Sequence, residues 1–490
     1  MNKSFLTPPA ALRPRAVVLA LGTTMLMAGC SLIPSYQRPA APVAERFDSS
    51  AATNANTKAV ADIEWQSFFQ DARLKRLIEI ALANNRDLRV AALNIEQMRA
   101  KLQVARADQL PTVNASLSGT RGPSASSNYT TVTSSYTAGL NITSYELDFF
   151  GRVRALSQVA QAQLLSTEEA RKTVQMSLVA SVATTYLSLL SDQEQLQLTR
   201  ETLQSRQESL RLTQLKYDNE SASKLDLSQA QSLLEAAKVS LAQLERQRAQ
   251  DESSLALLLG QPLPTDLPAG LPLSQQGLVA DLPAGVPSEL LTRRPDVRQA
   301  EQTLLANNAN IGAARAAFFP NITLTASAGV ASGDLDKLFS DGTSVWSFTG
   351  QLLQPIFNAG RNKANLEVAK VNRDIAIAQY EKAIQTGFKE VADALAGRAT
   401  LADQLRAQNA QLQALQSTLQ LTKLRFDNGT ASSFEMLDAQ RSLFAAQQST
   451  IQVLAQQQQN LVTLYKVLGG GWTQTSETPT QTAPSPAPAP

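Results

Sequence analysis

Apolar residues recur at every seventh position along two stretches of the chain. Val182, Leu189, Leu196, Leu203, Leu210 and Tyr217 form one row. Ile377, Ile384, Val391, Leu405, Leu412, Leu419 and Phe426 form the other, interrupted at Arg398. A sustained seven-residue repeat predicts helices wound on neighbours as coiled coil. The helices are expected from Arg152 to Lys216 and from Arg361 to Arg425, each roughly 100 Å long at ~1.5 Å per residue. A globular core needs nothing so long, so a solvated bundle or coiled-coil scaffold is one reading at this point.

Four other stretches switch to period two. Asn321 to Val330 sets Ile322, Leu324, Ala326, Ala328 and Val330 against Thr323, Thr325, Ser327 and Gly329. Thr112 to Ser118, Val132 to Ile142 and Val345 to Leu353 alternate in the same way. Strict alternation predicts strands with one apolar and one polar face. Strands of this length with Ser-, Gly- and Asn-rich tips match the transmembrane barrel pattern; a sheet half-buried on a helix layer is the soluble alternative. In lipid an open four-stranded sheet would leave both edges unpaired, so it must close on copies of the same chain. Three chains would give twelve strands and an aqueous lumen. Apolar parity of Val345–Leu353 is out of step with Val132–Ile142, which predicts a register shift in one of them.

The chain repeats itself at an offset of 209 residues. Tyr217-Asp218-Asn219 answers Phe426-Asp427-Asn428, Ala105-Arg106-Ala107 answers Ala314-Arg315-Ala316, and Gly151-Arg152 answers Gly360-Arg361. The resulting plan has a signal peptide at 1–29, an N-terminal arm at 30–70 and a first repeat at 71–260. A Pro/Gly-rich connector at 261–289 leads to a second repeat at 290–470, and a disordered tail occupies 471–490. Each repeat holds a helix, a β-hairpin (112–145 or 320–357), a long helix, a tip turn (217–225 or 426–434) and a returning helix. The first helix of repeat one is expected as a single rod from Asp71 to Ala107.

Leu290 to Gly329 (LLTRRPDVRQAEQTLLANNANIGAARAAFFPNITLTASAG), Tyr145 to Ala155 (YELDFFGRVRA) and Leu437 to Arg441 (LDAQR) resemble the outer-membrane factor family. These are the TolC-like channels, most closely the OprM-type lipoproteins of efflux systems. The resemblance covers nearly the whole mature chain. It implies a trimeric twelve-stranded β-barrel on a long α-helical coiled-coil barrel, and a passive outer-membrane exit duct. Implied partners are a periplasmic adaptor (membrane fusion) protein, an inner-membrane resistance-nodulation-division pump and outer-membrane lipid. It further implies a periplasmic gate at the tip turns Tyr217, Phe426 and Gly429. There Phe434 would form the hydrophobic constriction, Asp438 an acidic ring and Arg441 its basic partner, with Glu435 and Asp226 as acidic tip residues. Read from the residues alone, Phe434 could equally be a contact between helix pairs and Asp438 a solvated charge. Ala431 stands where TolC itself has a tip arginine, so the closing network differs there.

Composition narrows the chemistry. The 490 residues contain no histidine and one cysteine, and aromatics make up only 5%. Soft-metal ligands, a histidine base and a disulfide are therefore nearly excluded, and no enzyme activity, cofactor or metal is expected. Lys3, Arg13 and Arg15 precede an apolar run ending Leu26-Met27-Ala28-Gly29-Cys30, the pattern of a bacterial export signal with a lipidation site at Cys30. Removing that leader takes the net charge from +2 to about −1, which gives no footprint for nucleic acid. No later apolar run reaches the ~18–20 residues of a spanning helix. Two alternatives remain from sequence: the exit duct of a type I protein-secretion system, and a periplasmic coiled-coil lipoprotein without a pore.

Overall fold

The computed structural model describes residues 31–44, 60–123, 132–279, 282 and 293–472. Cys30, the signal peptide and the tail lie outside the described residues. Seven principal helices and four strands follow in order: α1 Ala72–Asn84, α2 Arg86–Ala107, β1 Val113–Pro123, β2 Val132–Glu146, α3 Arg152–Asp218 and α4 Lys224–Leu259. They continue with α5 Pro295–Ala316, β3 Asn321–Ser332, β4 Ser344–Leu353, α6 Arg361–Asp427 and α7 Ser433–Val467. The fold is mostly helical with one small sheet.

The expected rod from Asp71 to Ala107 is broken at Asn85, whose backbone is extended at φ −61° and ψ 133°. Asn85 closes one helix and opens the next. Its backbone N–H donates to Ala81 O, its Oδ1 accepts from Leu88 N–H, and its Nδ2 donates to Leu258 O. The asparagine side chain thus satisfies two backbone groups at the break, one in the new helix and one in α4, which offsets helical hydrogen bonding lost there.

The chain forms two compact units, one from residues 31–39, 95–166 and 300–379, the other from 40–94, 167–299 and 380–472. The first unit holds the sheet, antiparallel in the order β1-β2-β3-β4. Its register aligns Val113, Ile142, Ala326 and Phe348 in one row and Ala115, Leu140, Ala328 and Trp346 in the next. The adjoining rows are polar: Asn114, Asn141, Ser327 and Ser347 line up across all four strands. Pairing thus converts four separate alternations into one apolar and one polar sheet face. On the polar face Asn141 Nδ2 donates to Ser116 Oγ at 2.9 Å, and the Ser118–Thr137 and Ser327–Ser347 hydroxyls pair at 2.7 and 2.8 Å.

The predicted parity slip is a β-bulge in β2. Between Ile142↔Ala326 and Tyr145↔Leu324, β2 spends three residue steps against two on β3. Ser144 takes up the extra residue at φ 53°, and its N–H donates to Thr325 Oγ1. Without the bulge, Leu140 and Tyr145 would fall on opposite faces. Farther along, a Cβ added to Gly139 or Gly329 would lie 2.5 or 2.2 Å from a carbonyl oxygen of the facing strand, so this crossing of β2 and β3 requires glycine.

The same unit carries an N-terminal strap laid along α5. Arg38 grips Glu301 with two hydrogen bonds of 2.7 and 2.9 Å, and Tyr36 donates to the same carboxylate. Asn308 and Arg315 donate to the carbonyls of Pro34 and Leu32, while Ile33 fills the space over Gly312. At the β2–α3 corner, Glu146 binds Arg152 and Asp148 binds Arg154, which explains the charge order of YELDFFGRVR.

The second unit has the main apolar core. Phe68 stacks on Tyr465 with centroids 4.1 Å apart, among Leu74, Leu77, Ile78, Val182 and Leu187. The most apolar window of α3 is long and apolar enough to cross a membrane, yet half of it is buried inside the protein, as a core helix requires. Asp71 is fully buried and satisfied: it accepts from Tyr186 Oη, Gln276 Nε2 and the N–H groups of Arg73 and Leu271. Arg294 forms a second buried node, donating to Asp296, Glu390 and Val467 O. The heptad rows are buried at Val182, Leu189, Leu196, Ile384 and Val391 and half-buried toward Leu210 and Leu419. At the interruption, Arg398 donates to Leu282 O of the connector.

Candidate functional site

The repeated phrase builds the two turns that join α3 to α4 and α6 to α7. In each, the long helix ends in a paired backbone closure. Ser221 N–H returns to Lys216 O and Glu220 N–H to Tyr217 O; Thr430 N–H returns to Arg425 O and Gly429 N–H to Phe426 O. This closure needs one left-handed residue, Glu220 at φ 57° in the first repeat and Gly429 at φ 72° in the second. Glycine adopts that conformation without strain; for glutamate it costs roughly 1 kcal/mol. Asn219 and Asn428 each donate Nδ2 back to the carbonyl four residues earlier, at 2.7 Å in both turns.

The returning helices start with matching capping boxes. Ser223 Oγ accepts from Asp226 N–H while Asp226 accepts from Ser223 N–H, and Ser432 and Glu435 do the same. The structure thus gives Asp226 and Glu435 a definite local role, binding orphan donors at a helix start. Hydrogen bonds from the Ser432 backbone and side chain, helped by Arg425, hold the Glu435 carboxyl below its ordinary pKa.

The remaining site residues share one stripe of α7. Phe434, Asp438 and Arg441 are spaced i, i+4 and i+7, which places them on one helix face. Phe434 is 59% exposed, whereas Leu437 and Phe444, which flank this stripe, are buried. Arg441 donates to Asp438 Oδ1 along the helix. Asp438 therefore carries its own cation, and a ring of such pairs would repel far less than a ring of bare carboxylates. Two bare charges ~6 Å apart repel by roughly 3 kcal/mol at an effective dielectric constant of 20. The two turns also touch: Lys216 Nζ sits 4.8 Å from the centre of the Phe426 ring, while within the first turn Lys224 Nζ lies 5.5 Å from that of Tyr217.

A ladder of buried polar residues, unmarked by the apolar heptad rows, runs along α3. Asp192, Thr199 and Arg206 are seven apart on α3, each three residues after a heptad leucine, and all three are buried. Arg206 donates to Leu233 O at 2.7 Å and lies 4.9 Å from the Phe444 ring centre, tying α3 to α4 and α7. Burial without a carboxylate partner lowers its pKa. The signal was present in the second seam of the heptad, which accepts polar residues at a cost in stability.

A sheet with one apolar face and two unpaired edges, continuous with helices of this length, defines a membrane-inserted β protein with a helical extension. The chain belongs to the outer membrane efflux protein family, whose model matches residues 77–261 and 286–470. The antibiotic efflux pump outer membrane protein ArpC of Pseudomonas putida is 46% identical over 466 residues, covering 94% of this chain and 96% of its own. The toluene efflux pump outer membrane protein TtgC of the same species matches to the same extent, 46% over 466 residues. Among solved structures, the open state of the MtrE outer membrane channel of Neisseria gonorrhoeae superposes with a TM-score of 0.84 at 40% identity, covering 92% of this chain and 100% of that one. The protein is an outer-membrane efflux channel.

Proposed function

We propose that three copies close their sheets into one twelve-stranded barrel and act as a passive exit duct. The observation that carries this reading is the sheet itself. β1 and β4 pair on one side only, and Leu117, Leu140, Trp346, Phe348 and Leu352 stand exposed on its apolar face. Unpaired backbone groups in hydrocarbon cost several kcal/mol each, so β1 of one copy must meet β4 of the next. The polar face then lines a water-filled lumen, and the helices extend the passage into the periplasm. At its end Phe434 forms the constriction, with Asp438 and Arg441 one and two turns farther along each α7. Acyl chains on Cys30 anchor the strap to the outer membrane.

Energy for transport comes from elsewhere: a periplasmic adaptor and an inner-membrane pump of the resistance-nodulation-division type deliver the cargo. The cargo class is small organic molecules, antibiotics and solvents of the toluene kind, as the relatives' names suggest. A wide duct does no chemistry and needs little side-chain selectivity. Deleting the gene from a strain that depends on the cognate pump is expected to raise sensitivity to those compounds as much as deleting the pump. Plasmid-borne protein should restore resistance only where the pump is present. Unchanged sensitivity, or loss of a secreted protein in its place, would overturn the efflux assignment.

A further inference from the structure

One pair of carboxyl groups, Asp192 buried and Asp251 half-buried, has no part in the gate or the barrel. Asp192 of α3 is 8% exposed, and its Oδ2 has no donor. Opposite it on α4, Asp251 also buries an Oδ2 without a donor, and its Oδ1 accepts only from Gln247 at 3.2 Å. Arg200 of α3 meets Glu245 of α4 at 3.6 Å, and about two turns farther along this antiparallel pair Asp192 comes opposite Asp251, where the two carboxyl groups can share a hydrogen bond. Nearby charges are engaged elsewhere. On α4, Arg248 pairs with Glu252, and Glu245 pairs with Arg200 of α3; Glu194 of α3 accepts from Leu273 N–H. Arg73 of α1 faces Tyr186 and Gly270, and Arg76 pairs with Glu79. From α7 come Gln452, which donates to Gln195, and a run from Thr450 to Asn460 with no charged residue.

We infer that Asp192 and Asp251 form a proton-binding site, a carboxyl–carboxylate clasp that tightens α3 on α4 in acid and loosens it in alkali. Two ionised carboxylates at this distance, shielded from water and with no cation, repel strongly; one shared proton turns repulsion into an O–H···O⁻ hydrogen bond. Burial, followed by the charge and hydrogen bond of Asp251, pushes the Asp192 carboxyl up to about 7. The unfolded chain takes up that proton only near pH 4. Between these values the folded hairpin binds more protons than the unfolded one, so its stability rises as pH falls through 7 toward 4 and is lost above 7.

The site belongs to one repeat only. At the 209-residue offset the corresponding positions are Leu401 and Asn460, neither of which titrates, and Asn460 donates to Ala394 O. Acidification therefore stiffens the first hairpin and leaves the second unchanged. The clasp sits 26 residues before the end of α3, roughly 40 Å along the helix from the turn at Asp218.

The test uses the full-length assembled protein in detergent. Infrared difference spectra should show a protonated-carboxyl C=O stretch that titrates away with a midpoint near 7 in the wild type. Hydrogen-exchange protection around residues 188–196 and 247–255, corrected for intrinsic rates, should fall at least about tenfold between pH 5.5 and 8. Asp192→Asn keeps a donor to Asp251 at every pH and should abolish both changes. The same pH slope in Asp192→Asn as in the wild type would overturn the proposal. If the variant fails to assemble, the wild-type spectrum decides alone: no carboxyl titrating between about pH 6 and 8 overturns it. Protection restored at pH 8 by millimolar calcium would mark a cation site and equally overturn the proton assignment.

Discussion

Leu140→Arg is expected to leave little assembled protein in the outer membrane, while Asn141→Arg on the next residue leaves assembly intact. Leu140 lies in the middle of β2, on the apolar face, between Ala115 and Ala328. A cation at the midplane of a barrel's lipid face costs about 2–4 kcal/mol, and a closed trimer would incur it three times. Each such step alone shifts the insertion equilibrium by roughly 30- to 1000-fold. Asn141 faces the opposite way, hydrogen-bonded to Ser116 on the side assigned to water. Heat-modifiable migration of membrane fractions from the two variants reads the result. Equal assembly of both would mean that the apolar face does not meet lipid.

The second large effect is expected at the turns. Phe434→Ala combined with Asp438→Ala should raise single-channel conductance severalfold in planar bilayers, with assembly unchanged. Phe434 is largely exposed at the first turn of α7, so its removal costs the fold little. Rings of aromatic side chains on a pore axis exclude water, and their loss lets the constriction stay wet. Removing Asp438 frees Arg441 from its intrachain partner and leaves its positive charge uncompensated beside the aperture. Cation preference should drop along with the rise in conductance. Leu437→Ala, on the buried side of the same helix, should instead lower thermal stability. Unchanged conductance in the double variant would remove Phe434 from the gate.

Periodicity made most of this architecture legible before any coordinates. The seven-residue rows fixed the long helices, and period two marked all four strands, because each signal comes from neighbours close in sequence. The break at Asn85 was hidden because α1 and α2 both keep helical spacing; only the acceptor at Leu258, 173 residues away, reveals why the chain stops there. The bulge at Ser144 left a trace as mismatched parity but no address. Asp226 and Glu435 illustrate a different limit. Their Ser-x-x-acid spacing is a capping signature, yet the resemblance drew attention to the lumen first. Arg294 could be seen as part of a motif, but its partners Glu390 and Val467 are distant in the chain. Polar residues in the second heptad seam were readable and were passed over, since the apolar seam already accounted for the coil.

The two faces of the sheet can be examined directly by spin labels placed singly at 136, 137, 138, 140, 141 and 142, leaving Gly139 intact, in protein reconstituted into bilayers. Oxygen, which concentrates in lipid, should broaden labels at 136, 138, 140 and 142, and a water-soluble nickel chelate should broaden those at 137 and 141, in strict antiphase. Labels that all report water, or that all lie hidden from both reagents, would contradict a barrel wall and with it the duct.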